Sequence, residues 1–180
     1  RIMNGARSAH WGYRLWQGFT RLRLNLWPGR IDLQPARKVL PEAAWSLFES
    51  LNRADQVHAL CVLRQVQQAP DVSAALAQAA LLHDAGKADA GLSLFWRTIG
   101  VLLDHAGMLE RVASPSPHSW RYPLYRQLCH AEYGAELCSR AGCAPEVVAL
   151  VRWHDSAPDL LPEDVSLDDL ALLRAADDRC

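Results

Sequence analysis

Apolar residues recur at helical spacing along the chain, while runs of period two rich in β-branched residues are scarce. The pattern predicts an all-α protein. Trp11, Leu15, Phe19, Leu22 and Leu26 fall on one helical stripe with Arg14 and Arg21 off it, and Trp27-Pro28-Gly29 ends the pattern. Pro41 suits the first position of a short helix reaching Leu51. A longer helix to Gln68 then turns Val57, Leu60, Cys61 and Leu63 inward. Asp71 is placed to cap a helix from Val72 to Asp84, rich enough in Ala and Leu to be buried on nearly every side, and Gly86 stops it. Further helices are expected over 92–109, over 124–140 and from Pro145 to His154, with the turn-forming stretch Ser114 to Pro123 as a loop. Ser166 with Asp169 resembles a capping box that opens the last helix.

A length of 180 residues fits one domain by the usual ~100–200 residues per domain. Half the residues are hydrophobic and 22% are charged, which excludes a disordered chain. No run approaches the roughly 18 apolar residues of a membrane span, and the N-terminus lacks the pattern of a secretory signal, so a cytoplasmic location is expected. Cys61, Cys129, Cys138, Cys143 and Cys180 are scattered with no CxxC pair; the expectation is reduced thiols that fill the core. The net charge of −1 conceals a division, because residues 1–38 hold eight Arg and Lys against one acid, and residues 39–180 hold 11 bases against 19 acids. The chain therefore reads as a basic amphipathic extension (1–38) on an acidic body (39–180). The first expectation for the extension is to cover the body's core or to self-associate. Peripheral contact with an anionic membrane comes second, and nucleic acid last, since no recognised nucleic-acid motif accompanies the charge.

The strongest chemical signal is Leu81-Leu82-His83-Asp84-Ala85-Gly86-Lys87. Adjacent helical residues point about 100° apart, so His83 and Asp84 can reach one ion only near a helix end, with the carboxylate free to bridge to a second. His58, His130 in His130-Ala-Glu-Tyr-Gly-Ala-Glu136, His154 in Val151-Arg-Trp-His154 and Asp177 in Leu172-Leu-Arg-Ala-Ala-Asp177 each lie in or at the end of a predicted helix. A single buried histidine is more often a hydrogen-bonded core residue than a ligand; the joint spacing argues for ligands. His10, His105 and His118 have no partner in this pattern and are assigned no function.

In this order of residues, over 53–180, the chain resembles the HD-domain metal-dependent phosphohydrolase superfamily. The resemblance implies a helical bundle with a binuclear site. His58, His83, Asp84 and Asp177 would hold one ion, Asp84 would bridge, and His130 and His154 would complete the second, with Asp178 as the alternative to Asp177. Imidazoles and carboxylates without thiolate suit two divalent ions of Fe, Mn or Ni, less often Mg or Zn. The implied reaction is hydrolysis of a phosphoester or phosphoanhydride in a phosphorylated small molecule, foremost a nucleotide, by a hydroxide bridging the ions. Asp84 and Lys87 would be the catalytic residues, Lys87 by meeting substrate phosphate. Arg97, Arg121 and Arg126 are further candidates for phosphate clamps. Trp96, Tyr133 and Trp153 could wall a base, though packing is their expected role.

The cyclic-dinucleotide phosphodiesterases of this superfamily carry His-His-Glu followed by a Gly-Tyr-Pro segment, where this chain has Trp153-His154-Asp155-Ser156. An indole replaces one ligand, so neither a third ion nor a cyclic dinucleotide substrate is expected. Two other readings stand beside hydrolysis. One is the diiron chemistry of the inositol oxygenase branch, which has six ligands in this same order. The other is a non-catalytic module that senses a phosphorylated ligand.

Overall fold

The computed structural model describes residues 31–88, 94–156, 161–162 and 165–180, and every regular element among them is helical. In chain order these are α1 (Gln34–Val39), α2 (Glu42–Ser50), α3 (Arg53–Val66), α4 (Ala74–Leu82), a 3-10 turn (Ala85–Lys87), α5 (Leu94–His105), α6 (Leu109–Val112), α7 (Tyr122–Leu128), α8 (His130–Arg140), α9 (Pro145–Trp153) and α10 (Leu167–Asp177). The all-α expectation holds. The basic stripe from Trp11 to Leu26 lies outside the described residues. No helix among those described is long and apolar enough to cross a membrane.

The bundle is organised around α4, whose Leu76, Ala79, Ala80, Leu81 and Leu82 are fully buried. Helices α1, α2, α3, α9 and α10 all pack on it. Apart from Gln78 the helix is wholly Ala and Leu, as suits a segment packed against five others. Its alanines let neighbours approach, and each fully buried leucine contributes about 1.5–3 kcal/mol. Ser73 rather than Asp71 caps this helix, accepting from the Leu76 amide (3.0 Å) while donating to Asp169 of α10 (2.7 Å). Asp71 instead occupies the left-handed region at φ 56°, in the turn before it. Asn52 caps α3 by accepting from the amides of Ala54 and Asp55 and donating to the Asp55 carboxylate.

Several expectations change. Leu33 and Ala36, in a short helix not expected from the sequence, pack into the main core. The helix expected over 92–109 is two, α5 and α6, parted at Gly107, where φ is +63°. The helix expected over 124–140 breaks at Cys129 (φ −100°, ψ 14°), so that His130 opens a new helix. Most consequentially, Cys61 and Cys180 are not reduced thiols but a disulfide, with Cα atoms 5.9 Å apart across a sequence separation of 119. Packing of α10 on α3 brings them together. Cys129, Cys138 and Cys143 are free, and only Cys138 is fully buried.

The 3-10 turn lies against α8, closely enough that a Cβ on Gly86 would stand 1.9 Å from the His130 carbonyl oxygen and 2.7 Å from the Gly134 amide nitrogen. A residue read from sequence as a helix stop therefore also sets the approach of the turn that follows Asp84 to the helix that begins at His130. Gly86→Ala is expected to cost at least ~1–3 kcal/mol through overpacking, lowering Tm by roughly 2–4 °C for each kcal/mol. A thermal melt checks this; an unchanged Tm would contradict the tight contact.

Candidate metal centre

The end of α4 delivers two side chains at once. His83 is the helix's last capped residue, its amide bonded to the Ala79 carbonyl (2.8 Å), and Asp84 opens the 3-10 turn that Lys87 closes through its amide (2.9 Å). His58 comes from the second turn of α3, His130 from the first residue of α8 and His154 from the residue that ends α9. All five side chains are buried. Their ligand atoms form two groups that share one carboxylate, His58 with His83 and Asp84, and Asp84 with His130 and His154.

Asp177, at the end of α10, joins the first group: its Oδ1 accepts from His58 Nε2 at 2.8 Å and lies 3.7 Å from His83 Nε2. Asp178 is exposed, so the contact to His58 belongs to Asp177. Asp84 Oδ1 lies 3.8 Å from His83 Nε2 and 3.6 Å from His130 Nε2. Lys87 Nζ lies 2.6 Å from the same oxygen, with about a fifth of its side chain exposed.

Three of the imidazoles are oriented by one device. Each donates Nδ1–H to the carbonyl three residues earlier: His83 to Ala80 (3.1 Å), His130 to Gln127 (2.7 Å) and His154 to Val151 (2.7 Å). That bond assigns the ring proton to Nδ1 and turns the Nε2 lone pair into the site, as metal-binding histidines require. His130 Nε2 and His154 Nε2 then face each other at 3.3 Å. Two unprotonated nitrogens so placed repel unless a cation lies near both. His83 Nε2 is buried with no hydrogen-bond partner, and an orphaned buried acceptor is costly. The donor set of imidazoles and carboxylates thus fits divalent cations, through an unsatisfied nitrogen, a facing pair of lone pairs and a shared carboxylate.

Electrostatics agree with this geometry. Burial pushes His130 down to about 3 and His154 down to about 4, keeping both neutral and able to coordinate. Burial would raise the Asp84 carboxyl, but the Lys87 ammonium and the surrounding imidazoles outweigh it and hold it well below the ordinary range. Burial likewise acts to raise Asp177; the hydrogen bond from His58 and the adjacent His83 ring overcome it, and the group stays anionic. For His83, burial would lower the pKa, yet the Asp84 and Asp177 carboxylates raise it.

Of the other expected residues, Arg126 stacks over the Tyr133 ring at 3.9 Å and lines a groove with Glu136, Leu137 and Arg140. Tyr133 and Arg126 are thereby partners of each other, away from the shared carboxylate. Trp153 packs against the core, and Trp96 lies against Trp120 with ring centroids 5.8 Å apart. Arg121 precedes α7 and is half-buried; the side chain of Arg97 lies outside the described residues. His154, Asp155, Ser156, Arg174, Asp177 and Asp178 line a surface pocket. Arg174 was not a candidate from sequence, although its position three residues before Asp177 puts it on the same helical face.

No family model, no curated protein and no solved structure matches the chain. Buried His and Asp groups able to hold a metal ion are what the geometry itself supplies.

The depressed histidines make the metal-free protein acid-sensitive in a defined window. In the unfolded chain both rings take up protons near the ordinary imidazole value of about 6.5, whereas the folded rings resist until about 3 and about 4. The unfolded state binds more protons across that interval, so stability falls as pH falls from about 6.5 to about 4. Urea denaturation of metal-free protein should show the midpoint dropping through this window, with a shallower slope in His154→Gln; identical slopes would contradict the assignment.

Proposed function

We propose that the protein is a metal-dependent phosphohydrolase that uses two divalent ions to cleave a phosphoester or phosphoanhydride bond, with a nucleotide as substrate. The observation that supports this reading is the shared carboxylate: Asp84 belongs to both buried groups of ligand atoms. His58, His83, Asp84 and Asp177 would hold one ion, and Asp84, His130 and His154 the other. When bound, such a pair supplies a water of lowered pKa and Lewis acidity toward phosphoryl oxygens. The order of the six residues along the chain, similar to that of HD-domain enzymes, supports the same reading.

The chain's own residues have distinct tasks in this scheme. The Nδ1–H bonds of His83, His130 and His154 hold the three rings in register before any ion arrives. That preorganisation removes an ordering cost from binding. The side chains of the centre are themselves buried, so electrostatic interactions there act at low dielectric. Lys87 carries the one ammonium paired with the shared carboxylate among the described residues. Its partial exposure lets it meet an anionic oxygen of the substrate as a point charge.

Metal analysis of purified protein, followed by a nucleotide panel with Mn or Fe added, tests the proposal. The expected result is two ions per chain and release of phosphate or a nucleoside monophosphate. His83→Ala should abolish metal retention and turnover together; turnover that survives without metal overturns the scheme. Oxygen uptake with a mixed-valence iron signal would instead select the diiron oxygenase reading. Lys87→Met should retain both ions and lose tenfold to a hundredfold in kcat/KM, the equivalent of roughly 1.5–3 kcal/mol for a charge-assisted hydrogen bond. Unchanged kcat/KM would remove Lys87 from the substrate's contacts.

A further inference from the structure

We infer that Arg174 is a positioning residue that fixes the His154 half of the centre relative to the Asp177 half. The inference rests on the two-ion reading above and concerns a residue that binds neither ion. Arg174 lies on α10, one turn before Asp177. Its Nε donates to the His154 carbonyl (2.8 Å), and its Nη2 donates to the carbonyls of Trp153 (2.8 Å) and Ser156 (2.5 Å).

The last carbonyls of any helix have no partner within it and carry its negative dipole end. At the end of α9 no glycine turns the chain into a self-satisfying cap, because His154 continues in the right-handed region at φ −58° and ψ −31°. The Ser156 amide bonds the Trp153 carbonyl (3.2 Å), and a guanidinium from another helix adds donors to the carbonyls of Trp153, His154 and Ser156. Its planar fork reaches three carbonyls from one side chain, which an ammonium on a single flexible stem does poorly.

The consequence for the centre follows by tracing the connections. The His154 ring is tied to its own helix through Val151, so wherever the end of α9 goes, Nε2 goes with it. That end is held by α10, through Arg174. The same helix presents Asp177 to His58 at 2.8 Å. One guanidinium therefore couples a donor of the Asp84–His130–His154 group to a donor of the His58–His83 group, over helices whose sequences are separated by the stretch from Asp155 to Ser166. Losing it should loosen the second group selectively, since His58, His83, Asp84 and Asp177 keep every contact described above.

The experiment is a Co(II) titration of chelator-treated full-length chain, with calorimetry and visible absorption read together, on wild type, Arg174→Met and Arg174→Lys. Wild type is expected to take two equivalents. In Arg174→Met the first should bind within about twofold of wild type. The second should weaken about tenfold to a hundredfold, the usual cost of removing a group that orients a ligand, with a changed absorption envelope for the second ion alone. Arg174→Lys, which keeps the charge and reaches fewer carbonyls, should fall between, and it carries the test if the methionine variant does not fold. Two results overturn the inference: an unchanged second equivalent, or equal weakening of both, which is what general loosening of the bundle would give. A wild-type chain that binds fewer than two equivalents overturns the two-ion reading itself, and is distinguished from failure of Arg174 because the wild-type titration alone reveals it.

Discussion

The structure depends on one buried carboxylate. Asp84 sits at the end of the most enclosed helix of the bundle, 3% exposed, where an isolated anion would be driven to protonate. It remains ionised because cationic and polarisable groups converge on it from other elements: Lys87 from the turn, His58 from α3, His83 from α4 and His130 from α8. Removing one partner from such a cluster leaves uncompensated charge, which is the most destabilising change a buried ionic group can suffer.

That arrangement explains features of the fold that packing alone would not require. A bundle built only to bury α4 could carry leucines at 58, 130 and 154. It carries imidazoles, with three Nδ1–H groups satisfied by local carbonyls and Nε2 atoms gathered around a shared oxygen. Hydrogen-bonding capacity has been directed to the backbone on one side of each ring and withheld on the other. The same logic extends outward to Arg174, which satisfies the open end of α9, and to Gly86 and Gly134, whose missing side chains let the turn and α8 touch. The disulfide between Cys61 and Cys180 adds a covalent tie between α3 and the residues just past α10, three positions beyond His58 and Asp177 respectively. The helices that carry the first group of ligand atoms are thus joined twice, once by His58 with Asp177 and once by sulfur.

The legibility of these features in the sequence divides along a physical line. Helical class, the enclosed character of α4, the capping of α10 by Ser166 and the identity of His58, His83, Asp84, His130, His154 and Asp177 as metal-competent residues were all readable, since each rests on residue type and spacing of a few positions. The short α1, the break at Cys129, the use of Ser73 rather than Asp71 as a cap, and the break at Gly107 were misread or missed. In each case the outcome turned on backbone dihedrals or on a partner elsewhere, as when Ser73 is held by Asp169 of α10.

By itself, then, the sequence determined which segments coil and which side chains could coordinate, because helix periodicity and ligand chemistry are properties of near neighbours along the chain. Only the tertiary structure decided that four histidines meet around Asp84, that Asp177 rather than Asp178 faces His58, that Cys61 bonds Cys180, and that Arg174 closes the end of α9. Those are contacts between residues far apart in sequence, and their geometry depends on how whole helices pack, which no local pattern specifies.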